Sequence, residues 1–238
     1  MPIRIDNPFE DPTLELDPKV NPYLEKMRHG QQSGELTLLF GPALKPWVSK
    51  WKEFFAERHQ PVEKLVLEVG CHKGEVLQLM SKAHPDTGFI GIDITFKRVV
   101  HTAQKAKAAG LSNMLSLLCN GRGLDRVFGP EELDGAVIFF PDPWVRKKRQ
   151  RKNRLLDEDF LAKLHRSLKP GAFLWVKTDD GPYMEDIKIA AKAQGFTPYS
   201  PEGSEQASGI LSETYTSRFE RHFDSKGVDS HNCCWVKA

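Results

Sequence analysis

No apolar run in this chain approaches the roughly 18 residues that a membrane-spanning helix needs. Arg4 is followed by no apolar stretch, so no secretory signal is visible, and no membrane partner is expected. Cysteine is scarce. Cys71, Cys119, Cys233 and Cys234 show no C-x-x-C spacing, and bridging the vicinal pair would need strained geometry. That pattern speaks against a disulfide framework and against a zinc site; no metal is expected, and a reducing cytoplasm fits. Net charge is nearly absent too: 34 basic against 32 acidic residues leave +2. As an average, this gives no reason to expect a polyanionic partner. What is present is a chain of 238 residues, 39% hydrophobic and 28% charged, long enough to bury a core without staples. One α/β domain with a peripheral extension, or at most two small domains, fits that size, and a monomer or homodimer is expected.

Proline divides the chain. Eight of the 16 prolines fall within the first 61 residues. Residues 1–45 read as a proline-rich arm, partly extended or disordered, made acidic by Asp6, Glu10, Asp11, Glu15, Asp17 and Glu25. Residues 46–238 read as the folded domain. A helix is expected from Pro46, with Trp47, Trp51, Phe54 and Phe55 forming one apolar stripe onto a core. Strands then alternate with helices. The strands are expected at Lys64–Val69, Gly88–Ile94, Met114–Cys119, Gly135–Phe140, Phe173–Lys177, Phe196–Tyr199 and His231–Val236. Helices are expected at Glu75–Ala83, from a Thr95 cap through Lys107, near Leu124–Phe128, at Asp157–Leu168 and at Tyr183–Gln194. This alternation implies a mostly parallel, doubly wound sheet, whose ligands bind beyond the carboxyl ends of the strands.

The chemistry-bearing residues lie at those ends. Glu68-Val69-Gly70-Cys71-His72-Lys73-Gly74 follows the first strand. Glycines there let a ligand approach the backbone, and the Glu68 carboxylate favours a cationic ligand over a phosphate. Asp93, ending the second strand, can accept from two ribose hydroxyls or cap the next helix. Asn120, after the third, can read an adenine edge or serve a turn. Phe139-Phe140-Pro141-Asp142-Pro143-Trp144 ends the fourth strand, with Asp142 fixed between prolines and Trp144 able to stack on a base. In the ten residues from Val145 to Arg154, seven are basic. Arg146, Lys147, Lys148, Arg149, Arg151, Lys152 and Arg154 form a run suited to phosphate oxygens. The near-zero net charge is thus a sum of an acidic arm and a basic segment, and the distribution argues for a nucleic-acid partner.

These motifs, in the order E-x-G-x-x-x-G, F-x-G-I-D, F-F-P-D-P-W with its basic run, K-T-D and S-R-F-E, resemble bacterial tRNA (guanine-N7)-methyltransferases. The resemblance covers about Lys64 to the C-terminus. It implies a Rossmann-like class I methyltransferase fold of seven strands, mostly parallel, with an antiparallel last strand and helices on both faces. It implies a methyl transfer from S-adenosylmethionine, leaving S-adenosylhomocysteine, to N7 of the variable-loop guanosine at tRNA position 46. It also implies roles. Glu68, Gly70, Gly74, Asp93, Asn120 and Asp142 match cofactor contacts, and Asp142 the catalytic candidate. Arg146 and Asp179 match substrate contacts. Ser217, Arg218, Phe219 and Glu220 match the family's T-K-F-E segment. His72 stands where the family has a middle glycine, Asn120 where it usually has Asp, Arg146 for Lys and Ser217 for Thr. A non-catalytic RNA-binding protein on the same fold is the alternative. A small-molecule methyltransferase or nicotinamide enzyme would suit Asp93 but leaves the basic run unexplained.

Overall fold

The apolar runs are strands, and burial on both faces explains their composition. The computed structural model describes residues 5–14, 16–17, 19, 21–144, 148–199, 209–211 and 215–238. Two compact units are distinguished, residues 1–129 and 130–238.

In the first unit, α1 (Tyr23–Ser33) leads to a two-residue strand β1 (Leu38–Leu39), a 3-10 turn (Gly41–Trp47) and α2 (Trp51–Arg58). Then follow β2 (Lys64–Val69), α3 (Glu75–Ala83), β3 (Thr87–Asp93), α4 (Phe96–Ala108) and β4 (Met114–Leu118). The strands run parallel in the order β1-β4-β3-β2. Register pairs Leu67 with Ile90 and Ile92 with Leu117, so every residue of β3 and β4 is buried.

Two N-terminal features differ from the sequence expectation. Helix α1 arises inside the proline-rich stretch, because Leu24 and Met27 bury fully in a cluster with Val99, Val100 and Ala103 of α4. The arm's acids serve local turns: Asp11 Oδ1 accepts from Thr13 N at 2.8 Å and Asp17 Oδ1 from Lys19 N at 2.8 Å. The helix expected from Pro46 starts later, at Trp51, since Pro46 lies within the preceding 3-10 turn. Trp51, Phe54 and Phe55 of the stripe are core residues, and Trp51 Nε1 donates to Val127 O at 3.0 Å.

In the second unit, β5 (Leu133–Phe139) is followed by a 3-10 turn (Lys148–Asn153), α5 (Glu158–Ser167), β6 (Leu168–Thr178) and α6 (Gly181–Ala193). After them come β7 (Phe196–Pro198), α7 (Arg218–Asp224) and β8 (His231–Lys237). The order is β5-β6-β8-β7, with β5 and β6 parallel and β8 antiparallel to both its neighbours. The antiparallel last strand agrees with the sequence reading. Eight strands stand among the described residues rather than seven, the addition being β1. Asp157 Oδ1 caps α5 by accepting from Phe160 N at 3.0 Å. No helix among the described residues is long and apolar enough to cross a membrane.

Candidate active site

The first unit builds its ligand edge at the end of β2. Glu68 is 5% exposed, and among the described residues its Oε2 has no hydrogen-bond partner. Burial pushes this carboxyl up to about 8; a hydrogen bond from the Leu77 backbone N–H opposes the shift, and Asp93 adds to it. A buried carboxyl oxygen without a partner is costly, and it marks a place where a donor or a cation belongs. Gly70, two residues on, has φ +79°, and among the described residues a side chain placed there would meet nothing within 4 Å. The backbone is therefore open to a close-approaching ligand. A buried carboxyl with one oxygen left over, beside open backbone, fits the amino group of a methionine-like moiety.

The turn after Gly70 is tied to β3. Gly70 N and Cys71 N both donate to Ile92 O, at 2.9 and 3.2 Å. His72, where a glycine was expected, holds φ +51°. That left-handed conformation costs a bulky residue about 1–3 kcal/mol and persists only where neighbours enforce it. Here His72 N donates to Asp93 Oδ2 at 3.2 Å, and Thr102 Oγ1 donates to His72 O at 3.4 Å. Burial, and then the Arg98 charge, hold the His72 imidazole below its ordinary range.

Asp93 is 3% exposed and already engaged. Besides His72 N it accepts from Thr95 N at 2.9 Å and from Arg98 Nη1 at 3.4 Å. The Thr95 side chain makes no cap hydrogen bond, contrary to expectation; the carboxylate of Asp93 takes up the Thr95 N–H. Asn120 Oδ1 accepts from Arg122 N at 3.1 Å, which is the turn role of the two read for it.

The second unit carries the Pro-Asp-Pro loop. It is bracketed by two aromatic residues in left-handed backbone, Phe140 at φ +53° and Trp144 at φ +48°. Phe140 N donates to Lys177 O at 2.7 Å, and the Phe140 ring stacks on Phe223 with centroids 5.4 Å apart. At the other side Pro143 O accepts from Arg154 Nε at 2.7 Å. Between these anchors Asp142 is exposed, as is Trp144 at 38%.

Arg154 departs from its expected place at the RNA backbone. It is 6% exposed, pairs with Asp186 at 2.6 Å and lies 4.4 Å from the Tyr183 ring centre. A guanidinium so enclosed reaches the loop, not a phosphate in solvent. Arg149, Arg151 and Lys152 are exposed on the 3-10 turn. Arg146, Lys147 and the side chain of Lys148 lie outside the described residues.

Ser217 and Glu220 are structural neighbours in a capping box that opens α7. Glu220 also meets Lys177, the lysine of the K-T-D motif at the end of β6. Lys177 Nζ donates to Glu220 Oε1 and Oε2 at 2.8 and 3.0 Å and to Tyr215 O at 2.9 Å. That ammonium lies 5.0 and 5.1 Å from the Phe139 and Trp175 rings. With its base clamped, α7 leaves Arg218 exposed and Phe219 41% exposed, with the Phe219 ring 6.3 Å from that of Phe140. Asp179 is half-buried after β6, and its neighbour Asp180 caps α6 through Tyr183 N at 2.7 Å. A lysine inside the apolar run Phe173–Lys177 was the available signal that this strand end has an acidic partner.

Residues 62–233 match a family described as a putative methyltransferase. The tRNA (guanine-N(7)-)-methyltransferase of Geobacillus kaustophilus (strain HTA426) is 32% identical over 184 residues, covering 77% of this chain and 82% of that protein. Among solved structures, the 16S rRNA methyltransferase KamB superposes with a TM-score of 0.55 at 17% identity, over 80% of this chain and 98% of that one. A 16S rRNA (adenine(1408)-N(1))-methyltransferase from Catenulisporales acidiphilia, solved with S-adenosylmethionine, gives 0.54 at 16% identity, over 79% and 91%. At such identities the structural likeness establishes the fold, a Rossmann-like class I methyltransferase. The sequence likeness reaches further, through the glycine loop, the Pro-Asp-Pro loop and most of the second unit, and by it the chain belongs to the tRNA (guanine-N7)-methyltransferase family.

Proposed function

We propose that this protein transfers the methyl group of S-adenosylmethionine to N7 of the guanosine at position 46 in the tRNA variable loop. The observation that carries the reading is the buried Glu68 Oε2, without a hydrogen-bond partner among the described residues, beside the open Gly70 turn in a chain of this family. When bound, the donor supplies an activated methyl on a sulfonium. Glu68 would hold its cationic amino group and Gly70 would let it lie against the backbone; Gly74, where a side chain would meet Thr102 Cγ2 at 2.7 Å, lets α4 pack close to the loop, and Asp93 and Asn120 would face the donor's nucleoside part. Asp93 has lone pairs beyond those its present partners use, and Asn120 keeps an amide N–H₂ that can donate.

Guanine N7 has a free lone pair on the major-groove edge and needs no deprotonation. Catalysis then rests on placing that nitrogen in line and on stabilising the positive charge that grows on the base. Asp142 is suited to that role. It is an exposed carboxylate in a loop fixed at Phe140 and at Pro143, so little reorganisation is needed as charge develops. Asp179 would contact the base beside it. Trp144 and Phe219 offer exposed aromatic faces to unpaired bases. Arg218, with Arg146, Lys147, Lys148, Arg149, Arg151 and Lys152, would hold phosphates. Ser217 and Glu220 set the start of α7, which presents Arg218 and Phe219.

The test is incubation with tRNA and methyl-labelled S-adenosylmethionine, followed by mapping of the modified base. Label at N7 of the variable-loop guanosine is expected. Label elsewhere, or none, overturns the reading.

A further inference from the structure

Helix α1 lies before residue 62, where the family match begins, yet it builds a specific cationic face with α4. Burial of Leu24 and Met27 against α4 brings the Tyr23 ring edge-on to His101, with centroids 5.5 Å apart and an interplanar angle of 82°. Two ammonium groups share that ring. Lys26 Nζ of α1 lies 5.4 Å from its centre and Lys97 Nζ of α4 lies 5.8 Å from it. Both lysines are exposed, and among the described residues neither is in an ion pair.

Three further cations on α4 are each matched by an acid. Helix α4 carries Lys97, Arg98, Lys105 and Lys107 and no acid. The acids that meet it are accounted for: Asp93 with Arg98 at 3.4 Å, Glu75 with Lys105 at 3.7 Å and Glu35 with Lys107 at 3.1 Å. Burial, then Lys97, Lys73, Lys26 and Lys105, hold the His101 imidazole below its ordinary range. Like charges gathered about one ring repel each other, and a polyanion relieves that repulsion.

We propose that the face formed by Lys26 of α1 and Lys97 of α4 is a docking surface for the tRNA phosphate backbone. It rests on the tRNA reading above and adds a contact area within the first unit. Lysine ammonium groups are point charges, so this face positions RNA without reading its sequence. The Tyr23 ring is covered by the two lysines, and its role is to hold them in place. Because α4 follows Asp93 directly, the face starts at the proposed cofactor edge.

The test compares wild type, Lys26→Ser/Lys97→Ser, and Arg149→Ser/Arg151→Ser/Lys152→Ser. The readout is tRNA affinity between about 50 and 200 mM salt, where each lost phosphate contact lowers the log–log slope by about 0.7–0.9. The α1–α4 variant should lose between one and two units of slope while donor affinity and thermal midpoint stay at wild-type values. If its slope equals wild type while the basic-segment variant flattens, the α1–α4 proposal fails and the tRNA reading stands. If wild type neither binds nor methylates tRNA, both fall. Lysine-dependent retention on phosphatidylserine vesicles with an unchanged tRNA slope would also overturn it.

Discussion

Arg154 Nε donates to Pro143 O at 2.7 Å, and the same guanidinium pairs with Asp186 at 2.6 Å and covers Tyr183. A basic residue at the end of a basic run is thereby a brace for the acidic loop. Its planar fork serves the carbonyl and the carboxylate at once, which a lysine ammonium on a flexible stem does less well.

Arg154→Lys should therefore lower kcat by about tenfold, since a small misplacement of a reacting group is costly. The tRNA salt slope and donor affinity should stay unchanged. Single-turnover kinetics beside the salt titration check this. A phosphate-binding arginine would behave oppositely, with a shallower slope and intact kcat at saturating tRNA.

Asp142→Asn keeps the shape of the loop and removes the charge. Loss of a preorganised electrostatic contact to a developing charge costs about a hundredfold or more in kcat. KM for tRNA should move little. Near-wild-type kcat with intact binding would remove Asp142 from the charge-stabilising role.

The parts legible in the sequence are those where local pattern and tertiary outcome coincide. β2, β3, β4 and β5 are short apolar runs ended by Gly70, Asp93, Asn120 and the Pro-Asp-Pro loop, and both the runs and their ends were readable. Helix α1 was not, because the prolines and acids that precede it dominate the local composition while only Leu24, Met27 and Gly30 of the helix itself are buried. Strand β1 is two residues long, too short for any periodicity. The Lys177–Glu220 pair joins positions 43 apart, a distance over which spacing carries no information. Arg154 was misread for a related reason: charge and neighbours in sequence predict an exposed side chain, and only the fold reveals Asp186 and Tyr183 around it.

The Lys177–Glu220 pair gives a stability prediction. Lys177 is 4% exposed at its side chain, Glu220 17%. Removing Glu220 alone leaves an enclosed ammonium with no carboxylate among the described residues, only Tyr215 O and the Phe139 and Trp175 rings, so Glu220→Ala should destabilise by about 3 kcal/mol. Lys177→Met/Glu220→Gln, which removes both charges and keeps the bulk, should recover much of that loss. Urea denaturation of the cycle checks this. Additive effects, with no coupling between the positions, would show that the pair is not what anchors α7.

Glu68 provides a pH test of the donor site itself. Its carboxyl in the folded chain sits at about 8, above the ordinary 4.5. Between those values the folded protein keeps a proton that the unfolded chain has released. The stability this contributes is fully present below the ordinary value and is lost as pH rises through about 8. Thermal midpoints of wild type should accordingly fall further than those of Glu68→Gln as pH is raised from about 5 to 8.5. A cation bound beside the carboxyl favours its ionised form, so donor binding near pH 7 should release a proton in wild type and none from this position in Glu68→Gln. Calorimetry in buffers of different ionisation enthalpy measures that release. Equal proton release by wild type and variant would mean that the unpartnered Glu68 oxygen does not face the donor's positive charge.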